Sequence, residues 1–211
     1  MNKVSAVIFD LDGTVLDNED EYGTAFKKVL ESLGAKNVSD FPQTGGIGVE
    51  ENWPKLLEKY HVTTNKTVEE LATETQEEYL KLLPGVTVKK DLEKFIKELR
   101  KKGIKTGLAT SNVWTILEKV FEALPIEGYF DGVTTGEEVV NKKPAPDLFL
   151  IAADKLDVKP EECLVIEDAP SGIEAARDAG MRVVAIARND KLAEELKDAD
   201  LVVRGYNKLH V

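Results

Sequence analysis

Cysteine is nearly missing. The single Cys163 excludes an intramolecular disulfide framework, fits a reducing compartment and, at the start of an apolar run, reads as a small core residue. Histidine is almost as scarce, and His61 and His210 lie in polar or terminal stretches without metal-ligand spacing, so an imidazole-built zinc centre is not expected. No apolar run approaches membrane-spanning length, and nothing from Met1 to Ser5 resembles a signal peptide. A cytoplasmic protein is the expectation. Positive charge is also short, with Lys plus Arg at 28 against Asp plus Glu at 39. The net charge of −11 argues against a general nucleic-acid binder and favours solubility. A monomer or weak dimer is expected. The shortage is sharpest from Asp17 to Leu83, which holds fourteen acidic residues, seven lysines and no arginine.

What the chain does have is a distinctive start. An apolar run beginning near Val4 continues through Val7-Ile8-Phe9 and ends in Asp10-Leu11-Asp12-Gly13-Thr14. Such a run reads as a buried parallel strand. In an open α/β sheet the carboxyl ends of strands line the ligand crevice, so Asp10 and Asp12 would stand at that opening, with Gly13 turning the chain away. This placement suits a hard cation and an anionic substrate.

Residues Val15 to Glu21 read as an acidic loop, and helical spacing of Tyr22, Ala25, Phe26, Val29, Leu30 and Leu33 predicts a helix that stops at Gly34. Two more helices are predicted, from about Val49 to Tyr60 and from about Val68 to Leu83, the latter opened by Thr67 with Glu70 three residues later. No strand signal interrupts them. Residues 17–83 therefore read as an all-helical insert, and 1–16 with 84–211 as an α/β core.

Beyond the insert, helix and strand alternate: helix Val88 to Lys102, strand Ile104 to Ala109, helix Val113 to Phe121, strand Phe130 to Val133 and helix Pro146 to Leu156. Strand Cys163 to Ile166, helix Ser171 to Ala179, strand Arg182 to Ile186, helix Lys191 to Lys197 and strand Leu201 to Val203 follow. This order predicts a doubly wound parallel sheet.

Several strands end in polar residues of complementary chemistry. Thr110-Ser111-Asn112 offers a hydroxyl and backbone amides just before a helix, a ready anion site. Glu167-Asp168 is a second carboxylate pair, followed by Ala169-Pro170-Ser171-Gly172. Four acids at one sheet edge repel unless a divalent cation and a Lys offset them. Lys143 supplies that charge, and Pro144 is expected to hold it in an extended segment. Trp114, just after Thr110-Ser111-Asn112, reads as packing.

Together, Asp10 to Thr14, Thr110 to Asn112, Lys143-Pro144-Ala145-Pro146-Asp147 and Glu167 to Gly172 resemble, in order and spacing, the four motifs of the haloacid dehalogenase-like hydrolase superfamily. The helical insert resembles the small cap of its β-phosphoglucomutase and phosphoglycolate phosphatase branch. The resemblance implies a Rossmann-like core and a phosphomonoester hydrolase. Asp10 would be the nucleophile that forms an aspartyl-phosphate, and Asp12 the general acid and base. It also implies Mg²⁺ held by Asp10, Asp168 and the backbone carbonyl of Asp12, with Glu167 in support. Thr110 and Lys143 would hold phosphoryl oxygens, with Ser111 and Asn112 as further donors.

Dehalogenation is disfavoured because it needs neither a second acid nor a metal. The stronger rival is a sugar-phosphate mutase; a phosphate-binding protein without turnover is a third reading. The mutase branch resembled here has a His near the position of Tyr22, and an Arg and a Lys in the cap for a second phosphate. This chain has Tyr22, no Arg in the insert, and Thr75 or a neighbour where the Lys would fall. An acidic, Arg-free insert suits a small metabolite phosphate with a neutral leaving group, such as a sugar or polyol monophosphate. Gly45-Gly46-Ile47-Gly48 and Trp53 are the specificity elements expected to face the core.

Overall fold

The computed structural model describes residues 3–209. Its centre is β1 (Ala6–Phe9), four residues without solvent exposure. Alternation along an extended chain sends Val7 and Phe9 into one hydrophobic cluster and Ala6 and Ile8 into another. A strand buried on both faces needs helices on both sides.

The sheet is built from β1 with β4 (Lys105–Ala109), β5 (Gly132–Thr134), β6 (Cys163–Glu167), β7 (Arg182–Ile186) and β8 (Leu201–Val203). Their order is β5-β4-β1-β6-β7-β8, and every pairing is parallel. The chain leaves β1 for one flank and then returns to build the other, so β1 and β6 form the switch point where a ligand crevice opens. Helices α4 (Leu92–Lys101) and α5 (Trp114–Ala123) bury Leu92, Phe95, Ile96, Leu99, Ile116, Leu117 and Val120 on the Val7 and Phe9 face. On the opposite face α6 (Asp147–Lys155), α7 (Pro170–Asp178) and the short α8 (Asp190–Glu195) cover Ala6 and Ile8.

Between β1 and β4 lie α1 (Glu19–Ser32), α2 (Val49–Lys59) and α3 (Val68–Leu82), with α1 and α2 packed on α3. Thr67 and Glu70 form the expected capping box of α3. Burial of Tyr22, Phe26, Trp53, Leu71 and Tyr79 shows why these helices hold together despite their acidic surfaces. The chain does not pass from β1 to α1 through a plain loop, as the sequence suggests. Leu16–Asp17 forms β2, antiparallel to β3 (Thr87–Val88), so the strands running into and out of the three helices pair with each other. For the same reason the helix expected from Val88 begins only at Leu92. Two-residue strands carry no period that a sequence reading can detect.

Candidate active site

Backbone pairing continues one residue past β1, where the Asp10 N–H donates to Ile166 O at 3.0 Å. Asp10 is thereby held level with the end of β6. The chain then turns at Gly13, whose φ of +74° favours glycine. A Cβ there would lie 2.0 Å from Asp168 Oδ2, so the loop after β1 lies directly against the acid that follows β6.

Asp10, Glu167 and Asp168 form one buried cluster, with a carboxylate oxygen from each lying within 4.8 Å of the others. Lys143 enters from the loop before α6, and its Nζ donates to Asp10 Oδ1 at 2.6 Å and to Glu167 Oε1 at 2.7 Å. The other oxygen of Glu167 accepts the backbone N–H groups of Asp168 and Ala169 at 2.7 and 2.8 Å. Glu167 is therefore fully engaged, whereas no donor among the described residues reaches the Asp168 carboxylate. Burial, the neighbouring Glu167 and Asp10 push Asp168 well above the usual carboxylate range. Burial also pushes Asp10 upward against the pull of Lys143, while Asp10 and Glu167 keep Lys143 protonated in spite of its own burial. One ammonium among these carboxylates leaves an excess of negative charge in an all-oxygen donor set, a setting that fits a hard divalent cation.

Asp12 is held differently. Its Oδ1 accepts from Asn18 Nδ2 and its Oδ2 from Asn112 Nδ2, both at 2.6 Å. Burial raises its pKa to about 6, while these two amides work in the opposite direction. Asn18 Oδ1 accepts the Gly13 N–H at 3.1 Å, and Asn18 Nδ2 also donates to Tyr79 Oη at 2.9 Å. Tyr22 Oη donates to Asn112 Oδ1 at 2.9 Å. Burial and the nearby Asp12 push both phenols upward, so both remain protonated.

A cavity of about 390 Å³ opens over Asp10, Asp12 and Asp168. Its walls come from the core through Ser111, Asn112 and Ala169, and from the helical segment through Tyr22, Phe26, Phe41 and Gln43 to Val49. Asn52 fixes that loop, accepting the Thr44 N–H at 2.7 Å and donating to the carbonyls of Thr44 and Gly48. The glycine turn is tied to the core by Ser111 Oγ on Gly46 O at 3.2 Å and by Ser171 Oγ on Gly45 O at 3.4 Å. At the rim Arg188 lies over the Phe41 ring and 3.3 Å from both Glu19 and Asp20.

The sequence pattern of the haloacid dehalogenase-like hydrolases matches residues 7–186. The chain belongs to this family. A phosphorylated carbohydrates phosphatase of Thermotoga maritima is 34% identical over 206 residues, covering 94% of this chain and 93% of that protein. A β-phosphoglucomutase of Bacillus subtilis is 33% identical over 211 residues, covering 95% and 89%. The crystal structure of β-phosphoglucomutase from Clostridium difficile superposes with a TM-score of 0.86 at 28% identity, covering 98% of this chain and 93% of that one.

Asp10, Asp12, Ser111, Asn112, Lys143, Glu167 and Asp168 meet at one end of the sheet, although far apart in the chain. Thr110 sits behind them, with its hydroxyl accepting the Asn112 N–H at 3.1 Å. Other expectations need correction. Lys143 lies in a turn with a cis bond to Pro144, not in an extended segment, and points inward because three buried partners surround its ammonium end. Trp53 does not face the cavity. It is fully buried, donating to Thr75 Oγ1 at 3.2 Å and packing on Phe26, because its apolar ring completes the core of the three helices. Trp114, expected to pack, is 46% exposed. His61 is exposed as expected, and His210 lies outside the described residues.

Asn18, Tyr79 and Arg188 escaped the sequence reading. Asn18 sits at the N-cap position of α1 without capping it, because its side chain turns inward to Asp12. Sequence alone reads such an Asn as an ordinary cap.

Proposed function

We propose that this family member is a Mg²⁺-dependent phosphatase that hydrolyses a small phosphomonoester through an aspartyl-phosphate. The reading rests on one observation: Asp10, paired with Lys143 at 2.6 Å, and Asp12, held by two amides, face the same cavity beside Asp168. An oxygen of Asp10 attacks phosphorus as the bond to the leaving oxygen breaks, and Asp12 supplies the proton that oxygen takes up. Water then attacks the aspartyl-phosphate and gives a proton to Asp12, which frees Asp10 and inorganic phosphate. Lys143 and Ser111 hold phosphoryl oxygens, and Thr110 fixes the turn that presents Ser111 and Asn112. Asp10 and Asp168, with the Asp12 carbonyl, would hold Mg²⁺, which when bound offsets the charge of the phosphoryl group and its carboxylates.

Residues 17–83 act in this reading as a cap, hinged at the β2–β3 pair, that covers the site and keeps bulk water from the aspartyl-phosphate. The leaving group is neutral and hydroxylated, a sugar or polyol. The arginine at the rim supports this: Arg188 is paired with Glu19 and Asp20 and stacked over Phe41, so it is already engaged rather than set aside for a second phosphate. Gln43 Oε1 is buried in the lining without a hydrogen-bond partner among the described residues and suits a substrate hydroxyl.

The Bacillus relative favours one alternative, a sugar-phosphate mutase. A panel of phosphomonoesters with Mg²⁺ distinguishes the two when free phosphate is followed and, for glucose 1-phosphate, glucose 6-phosphate as well. Phosphate release is the expected result. Isomer without free phosphate reverses the choice.

A further inference from the structure

The rings of Tyr22 on α1 and Tyr79 on α3 stack at 3.9 Å and 9°, which sets two phenol oxygens side by side near Asp12. Neither is bonded to the acid. Each instead meets an asparagine that is, and those asparagines come from different places, Asn18 before α1 and Asn112 on the loop after β4.

An amide side chain is nearly symmetrical in shape, and only its partners decide which end faces a neighbour. Were Asn112 reversed, its oxygen would face the Asp12 carboxylate and repel it. The Tyr22 hydroxyl, bonded to Asn112 Oδ1, selects the orientation that presents N–H to Asp12. The Gly13 N–H does the same for Asn18, and Tyr79 takes up a further Asn18 contact. Each Asp12 oxygen thus spends one acceptor position on an amide, and a proton must occupy a remaining one, on a carboxyl group that lines the cavity.

We infer that Tyr22, acting through Asn112, and Asn18, steadied by Tyr79, are positioning residues that fix the Asp12 carboxyl for proton transfer to the leaving oxygen. This rests on the phosphatase reading and deepens it. The Tyr22–Asn112 bond joins the helical segment to the core, so the acid is aligned when α1 sits against the loop after β4. As the bond from phosphorus to the leaving oxygen breaks, the Asp12 proton passes to that oxygen. The resulting carboxylate, still held by both amides, takes the proton of the attacking water.

The test compares kcat/KM for two substrates, a sugar or glycerol phosphate, whose alkoxide needs a proton to leave, and 4-nitrophenyl phosphate, whose phenolate leaves without one. In Tyr22→Phe, which keeps the ring stack, the ratio of alkyl to aryl kcat/KM falls about 10-fold, and in Asn18→Ala about 100-fold, the scale of a misaligned catalytic group. Thermal melts confirm that both variants are folded; should Asn18→Ala not fold, Tyr22→Phe decides alone. An unchanged ratio, with activity either kept or lost equally on both substrates, overturns the positioning role while leaving the phosphatase reading intact. Absence of phosphate release from either substrate in the unaltered protein removes both.

Discussion

At the scale of single residues, the site turns on how one buried cation is shared. Lys143 is 3% exposed and serves two carboxylates, so removing its charge leaves two acids buried without compensation. Lys143→Met is expected to cost about 3–5 kcal/mol of stability, the usual penalty for breaking a buried ion pair, read as a lower urea midpoint. Asp10→Asn behaves differently. It removes one of the crowded carboxyls while leaving Lys143 its bond to Glu167, so the protein should still unfold cooperatively. Phosphate release from 4-nitrophenyl phosphate should nevertheless fall at least about 1,000-fold, because an amide oxygen does not replace the nucleophile. Full activity in that variant would remove the nucleophile assignment.

Among the elements, the glycine turn before α2 meets the start of α7 at a junction with no room for a side chain. Gly46 has a φ of +77°, and a Cβ there would stand 2.4 Å from Ser171 Oγ and 2.5 Å from the Ala169 side chain. Neither helix can yield easily, since Asn52 anchors one side of the turn and Ala169 opens α7 on the other. Gly46→Ala should therefore hold the turn off the core. Loss of the Ser111 and Ser171 contacts with the turn should lower kcat/KM about 10-fold, since small displacements of groups lining a site are costly, and the unfolding midpoint should fall as well because a Cβ is strained at that φ. Steady-state kinetics and a thermal melt of the same preparation separate the two effects.

For the whole molecule, the acids at the end of the sheet link stability to pH and to the cation. Asp10, Asp12 and Asp168 are all raised above their ordinary values, Asp12 to about 6. In the ion-free protein the folded state then binds more protons than the unfolded chain between the ordinary carboxylate range and these raised values. Stability is greatest at the acid end of that window and falls as pH rises through it. A divalent cation held by the deprotonated carboxylates, as proposed, would reverse the trend. The melting temperature measured with a chelator should thus drop from pH 5 to pH 8, and the increase produced by Mg²⁺ should be larger at pH 8. A Mg²⁺ effect that is equal at both values, or absent, would count against Asp10 and Asp168 as its ligands.

The order of helices and strands was legible in the sequence because both kinds of element carry a period: β1 as a continuous apolar run, and α4 through Leu92, Phe95, Ile96 and Leu99. The polar ends of β1, β4 and β6 were equally visible, since a buried strand that stops in acids or hydroxyls breaks its own pattern. Local composition therefore determined the fold class and the chemistry available at the strand ends. Tertiary structure alone decided which of those groups touch. The inward turn of Lys143, the withdrawal of Trp53 into the helical core and the amides around Asp12 depend on partners 20 or more residues distant, apart from Phe149 beside Lys143 and Asn18 beside Asp12. Such contacts leave no local trace, because hydrogen bonds and ion pairs depend on distance and direction in space, while a residue's neighbours in the chain constrain only its backbone and its face.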